Sequence, residues 1–202
     1  IDVLSFARLA YRVFEETGTK QMQVLDDEGK NLILRKIAGD YENKLTVLKG
    51  NIKKLGYISE VKSVISEFTQ YDIGEEEMDE MLDHLDEDSR LYYKLKDIRL
   101  LYEGFQDYLR ERYITKEELL DVLNSQVKES ELLKNSVVVL DGFTGFTPVQ
   151  NRLILELMRC CKEVWVTVTM DERENPYAYK HPYQLFGLSK QMVTTLVRMA
   201  GE

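Results

Sequence analysis

Asp141 has the clearest chemical setting in the chain. It follows three valines and a leucine and opens the turn in "VVVLDGFTGFTPVQ", residues 137–150. A continuous apolar, β-branched run before turn residues predicts a buried parallel strand with a carboxylate at its carboxyl end. Open α/β sheets hold their ligands at that end. A carboxylate there can help hold Mg²⁺ against a nucleotide, and a glutamate directly after it can act as base for the attacking water. The next residue is Gly142, which has no side chain to take a proton. The frame of a nucleotide-hydrolysis site is present and its base is not. No GxxxxGKS or GxxxxGKT phosphate loop occurs in the 202 residues, and it would be expected upstream of Ile1.

A second group lies in "SFARLAY", residues 5–11. An aromatic at a strand end stacks on bases and an arginine binds phosphate or a base edge, each contributing about 1–3 kcal/mol. Ser5, Phe6, Arg8 and Tyr11 are therefore candidates for contact with a nucleic-acid single strand, although Phe6 and Tyr11 also suit the core face of a helix. Phe143 and Phe146, in the glycine-bearing turn, either extend that platform or plug the mouth of the sheet. Between residues 31 and 62, Arg35, Lys36, Lys44, Lys49, Lys53, Lys54 and Lys62 stand against only Asp40, Glu42 and Glu60. They form a phosphate track or a solvated helix face. His84 and His181 lack partners at metal or triad spacing. The two cysteines, Cys160 and Cys161, are adjacent, which suits neither an ordinary disulfide nor a zinc site. No catalytic residue and no metal ligand set is assigned.

The elements that must position these residues follow from periodicity. "IDVLS" reads as the end of a strand, after which Ser5 caps a helix that stops at Gly18. Phe6, Leu9, Ala10, Val13 and Phe14 share one face of it. Helical patterns follow over residues 28–38, 44–55 and 58–71. From 89 to 113, Leu91, Leu95, Ile98, Tyr102, Phe105 and Leu109 repeat at alternating spacings of four and three, which predicts a long helix packed along one seam. Thr115 with Glu118 makes a capping box for another helix. A strand at 137–140, a helix begun by Thr147 and Pro148, a strand in "EVWVTVTM" and a last helix from about residue 184 complete the chain. The expected fold is an α/β parallel sheet fragment interrupted by a large all-helical insertion. Its parts are residues 1–18, the insertion 19–135 and the continuation 136–202.

With 44% hydrophobic and 31% charged residues the composition is that of a globular domain. No apolar run approaches the length that spans a bilayer, and no signal peptide is recognisable. A soluble, cytoplasmic protein without membrane contact is expected. The net charge of −9 is local: "EEEMDEMLDHLDED", residues 75–88, holds nine acids and no Lys or Arg, and the rest balances 27 acids against 27 bases. Such a run is expected to be a solvated segment between helices, and the overall acidity does not exclude nucleic acid. Because the chain begins inside a strand-like segment without methionine, it is expected to be a piece of a longer protein.

Set against superfamily 1 DNA helicases, "DGFTGFTPVQ" resembles their Asp-Glu segment "FQDTNPLQ" without a gap, with matches at Asp141, Phe143, Pro148 and Gln150 and Gly142 in the place of the glutamate. "VLSFARLA" is similar to their "LTFTNKAA" at Leu4, Ser5, Phe6 and Ala10. Together with "LILRKI" and "KLKDIRLLYEGFQDYL", these segments resemble the B subunits of the AddAB (RexAB) helicase-nucleases over nearly the whole chain. The resemblance implies a P-loop-NTPase-like, helicase-like fold with a 1B-like insertion, in a motor that has lost unwinding activity. It implies a parent that uses ATP, magnesium and an iron–sulfur cluster, none of them in this piece. It also implies an A-subunit partner, resection of double-stranded DNA breaks, and a strand surveyed for a hotspot sequence. An active superfamily 1 helicase fragment and a helical protein-binding adaptor are the alternatives.

Overall fold

The computed structural model describes residues 1–19, 23–52, 54–110 and 113–201. The chain divides into two units, one of residues 1–20 with 120–202 and one of residues 21–119.

In the first unit, α1 (Phe6–Thr17) begins at Ser5, whose Oγ accepts a hydrogen bond from the Arg8 amide at 3.3 Å. It ends at Gly18, which takes the left-handed conformation that glycine adopts without strain. Ala10, Val13 and Phe14 are buried, and Phe6 and Leu9 are half-buried beside them. A short helix α7 (Glu131–Lys134) leads into β3 (Val137–Leu140). After β3 the chain crosses over through α8 (Pro148–Cys160) to β4 (Glu163–Val166) and ends in α9 (Gly187–Ala200). The crossover starts as the sequence predicts. Thr147 Oγ1 accepts from the Gln150 amide at 3.4 Å, and Gln150 Oε1 accepts from the Thr147 amide at 2.9 Å, with Pro148 in the first turn.

β3 and β4 pair in parallel, with Val137 opposite Glu163 and Leu140 opposite Val166. Side chains alternate across the sheet. Val138, Leu140, Val164 and Val166 pack against Ile154 of α8 and Met192, Leu196 and Met199 of α9. Val137, Val139 and Trp165 on the other face are 54%, 58% and 61% exposed. The strand expected to be buried on both faces is thus covered on one, because no described element lies over the other. Two further expectations are corrected. Residues 1–5 form no strand, since they pair with no described segment, and Ile1, Val3 and Leu4 are exposed. The second late strand ends at Val166 rather than near residue 170: β3 stops at Leu140, whose carbonyl accepts the last ladder bond from the Thr167 amide at 3.0 Å, and the Thr167 side chain bonds Asp141.

The second unit holds α2 (Asp27–Asp40), α3 (Leu55–Gln70), α4 (Glu75–Asp83) and α5 (Arg90–Leu109) around Leu34, Leu48, Ile58, Met78, Leu101 and Phe105. Gly104 lets α2 approach α5. A Cβ there would lie 2.8 Å from Tyr41 Cε2 and 2.9 Å from Ile37 Cγ2, too close for any side chain. The helix expected at 44–55 is instead a series of turns through residue 52. Its apolar spacing is real, since Leu45, Leu48 and Ile52 are buried. The amides that would close the helix are taken by Asp97, buried on α5. Its carboxylate accepts from Thr46 at 2.9 and 3.0 Å, Val47 at 2.8 Å and Leu48 at 2.8 Å. The segment 19–135 is also not wholly helical. β1 (Gln23–Val24) pairs in parallel with β2 (Tyr113–Ile114).

The capping box read at Thr115 is present. The Thr115 amide donates to Glu118 Oε2 at 2.6 Å, and the Glu118 amide to Thr115 Oγ1 at 3.2 Å, at the start of α6 (Glu118–Gln126). Beside it, the buried Lys30 pairs with Glu117 at 2.7 Å and donates to Ser66 Oγ at 3.2 Å, linking α2, α3 and the approach to α6. Among the described residues no helix is long and apolar enough to cross a membrane.

Candidate nucleic-acid interface

At the carboxyl end of β3, Asp141 and Gly142 are exposed. Thr167, just past β4, donates its hydroxyl to Asp141 Oδ1, and the Gly142 amide donates to Thr167 Oγ1 at 3.4 Å. The sequence does not mark Thr167 for this role, because its importance comes from strand pairing rather than from a motif. Gly142 has φ +79°, in the left-handed region that favours glycine, and a Cβ there would meet nothing within 4 Å. The turn therefore disfavours a glutamate through backbone conformation, not through crowding.

The three phenylalanines come together. Phe6 and Phe143 have ring centroids 5.8 Å apart at 47°, and Phe143 and Phe146 are 4.9 Å apart at 38°. All three are half-buried against the core formed by β3, β4, α8 and α9. They join the amino-terminal end of α1 to the "DGFTGF" turn.

Arg8 and Tyr11 do not join them. At 100° per residue Arg8 lies about 200° and Tyr11 about 140° around α1 from Phe6, and only about 60° apart from each other. Both are exposed, and Tyr11 meets Phe14 edge-on at 6.4 Å. Arg12 stands on the same face, ion-paired to Asp2 at 2.6 Å. Sequence reading passed over Arg12, although its spacing of four from Arg8 would have placed it there. Ser5 serves as the helix cap. The candidate group thus forms a half-buried aromatic cluster and a separate exposed face of arginine and tyrosine.

The basic residues of the second unit have varied surroundings. Lys36 lies 5.1 Å from the Tyr108 ring and Lys44 4.8 Å from the Tyr41 ring. Lys54 donates to Asn51 at 2.8 Å, and Lys62 pairs with Asp27 at 3.7 Å. Arg35 and Lys49 are exposed, and Lys53 lies outside the described residues. Elsewhere, His84 bonds the Glu80 carbonyl at 2.7 Å through Nδ1, and His181 stacks on Tyr183 at 4.0 Å.

The cysteines present do not fit an iron–sulfur cluster. Asp141 is a single carboxylate already held by Thr167, and among the described residues no three His, Cys, Asp or Glu side chains gather at a point suited to a metal ion. Cys160 and Cys161 are free, and burial pushes the Cys161 thiol up to about 11, away from the thiolate a cluster needs.

Comparison with known proteins accounts for the whole chain. The family model described as "ADDB, N-terminal" matches residues 1–202. Relatives named as the B subunit of an ATP-dependent helicase/deoxyribonuclease include one from Lachnoclostridium phytofermentans, 42% identical over 99% of this chain and 17% of its own length. One from Clostridium kluyveri is 39% identical over 84% of this chain and 15% of its own length. One from Alkaliphilus oremlandii is 37% identical over the same shares. The chain spans about one-sixth of the length of these relatives.

Proposed function

Because the chain belongs to the AddB N-terminal family, we propose that it is the front of a B subunit in a heterodimeric, ATP-dependent helicase-nuclease that processes broken double-stranded DNA. Its part there is to hold a single strand without hydrolysing ATP at Asp141. Residues 1–18 and 136–202 are then two parts of one P-loop-helicase-like layer, and 19–135 is its 1B-like insertion. ATP, magnesium and the iron–sulfur cluster act through other parts of the longer protein and its A-subunit partner.

Gly142 carries this reading. A glutamate base directly after Asp141 would need a conformation that costs an L-residue about 1–2 kcal/mol, and Asp141 itself is tied to Thr167. What remains at this end of the sheet is a surface. There Phe6, Phe143 and Phe146 pack on one another, and on the separate exposed face of α1 Arg8 supplies charge for phosphates and Tyr11 a ring for a base.

Photocrosslinking tests the proposal. A single strand carrying bromouracil, bound to the full heterodimer, is expected to crosslink within residues 5–12, with the yield reduced by Tyr11→Ala. Crosslinks confined to other regions of the protein would refute the assignment. DNA-stimulated ATP turnover that falls with Asp141→Ala while folding is intact would restore hydrolysis to this site.

A further inference from the structure

The acidic run 75–88 has no role in the site above, and it borders an open apolar cleft. α4, α5 and the end of α3 enclose about 760 Å³ between Phe68, Tyr71, Met81, Leu85, Leu91 and Leu95. The cleft is an unfinished part of a packed seam. Along α5, Ile98, Tyr102, Phe105 and Leu109 of the heptad stripe are at most 8% exposed, whereas Leu91 at its start is 58% exposed. Tyr71 and Met81 across from it are 54% and 39% exposed. An apolar stripe that runs from a covered into an uncovered stretch presents the geometry of a groove awaiting one more helix.

The rim decides what that helix must be. Asp72, Glu77 and Glu80 line it, with Lys94 and His84 opposite. Arg99 of α5 takes up Asp79 and Glu75, and Glu77 Oε2 accepts from the Gly74 amide at 2.8 Å. Glu76, Glu80, Asp83, Glu87 and Asp88 remain exposed on a segment without Lys or Arg. Such a surface repels nucleic acid and acidic peptides.

We infer that the α3–α4–α5 cleft is a docking groove for an amphipathic helix of another protein, with Leu-type residues at helical spacing and Lys or Arg flanking that face. The apolar floor supplies affinity, and the acidic rim selects the partner and sets the rate of encounter. This groove lies in the second unit and does not depend on the strand-binding reading.

The test uses the full-length protein and two labelled peptides of about four helical turns, with the same leucine face, one flanked by Lys and one by Glu. Fluorescence anisotropy should show binding of the Lys peptide that weakens with salt, and little binding of the Glu peptide. Leu91→Glu, at an exposed position, should weaken the Lys peptide at least about fivefold with an unchanged thermal midpoint. Glu80→Lys should weaken the Lys peptide and strengthen the Glu peptide, which a change in folding would not do. Equal binding of both peptides would show an unselective apolar patch, and no binding of either would show a groove filled by the protein itself. Loss of single-stranded DNA affinity in Leu91→Glu would make the groove a nucleic-acid site, and self-association abolished by Leu91→Glu would make the occupant a second copy. Each of these four results overturns the inference.

Discussion

At the scale of single residues, two positions carry more structure than their surroundings suggest. Asp97 is buried and holds the amides of Thr46, Val47 and Leu48, fixing the turns that carry Lys44 and Lys49. Asn has one acceptor oxygen and would aim its amide hydrogens at backbone N–H groups. Asp97→Asn should therefore cost about 1–3 kcal/mol. It should also speed hydrogen exchange at the Thr46, Val47 and Leu48 amides more than elsewhere. Uniform protection in the variant would show that these bonds do not hold the segment. Gly142 is the second position. Its positive φ and open surroundings predict that Gly142→Ala costs about 1–2 kcal/mol through backbone strain alone. Urea melts that leave wild type and variant superimposed would contradict this. Neither effect is legible from composition: Asp97 reads as one acid on a polar helix face, and Gly142 as a missing base rather than a residue its turn requires.

At the scale of elements, the sequence predicts best where local chemistry decides. The capping box at Thr115, the helix start at Thr147 and Pro148, the stop of α1 at Gly18 and the start of α5 after Ser89 form where the residues place them. By contrast, α5 ends at Leu109, short of the expected 113, where β2 takes over. Prediction fails where a distant partner decides. The 44–55 pattern has helical spacing, but Asp97 takes its amides, and 1–5 has strand composition but no described strand beside it. The candidate site divides in the same way. Ser5, Phe6, Arg8 and Tyr11 lie close in sequence, but the helix turns Phe6 toward Phe143 and carries Arg8 and Tyr11 to another face.

The Lys30–Glu117 pair is a further link that sequence could not show, since its members stand 87 positions apart. Burial raises the Glu117 pKa, but the hydrogen bond and charge of Lys30 outweigh it, so its carboxyl lies below the usual 4.5. A depressed carboxyl stabilises the fold above its unfolded pKa, and that contribution is lost as pH falls through the folded value. Glu16, held by Ser130 and the Leu132 amide, acts in the same direction. The thermal midpoint should therefore drop as pH falls below about 4.5. Lys30→Met should cost about 3–5 kcal/mol at neutral pH, because it leaves Glu117 buried and unpaired, and less in acid, where Glu117 is neutral. A loss independent of pH would assign Lys30 to packing rather than charge.

At the scale of the whole molecule, a parallel strand pair ends at Asp141 and Gly142, and α1 carries an exposed face of Arg8 and Tyr11. Sequence motifs suggest the family, and the family model covers every residue of the chain. The motifs alone do not separate the residues that stack within the protein from those left exposed on α1. That separation sets Arg8 and Tyr11 against Phe6. Both exposed side chains lie on α1, so removing them should leave the fold intact, whereas Phe6→Ala should lower stability by about 1–3 kcal/mol through lost ring packing. The most direct measurement is single-strand affinity of the full heterodimer carrying Arg8→Ala with Tyr11→Ala, followed over a range of salt concentrations beside its thermal midpoint. If Arg8 and Tyr11 hold the strand, affinity falls at least about tenfold with a shallower salt dependence and an unchanged midpoint. Unchanged affinity and salt dependence in a folded double variant would contradict that role.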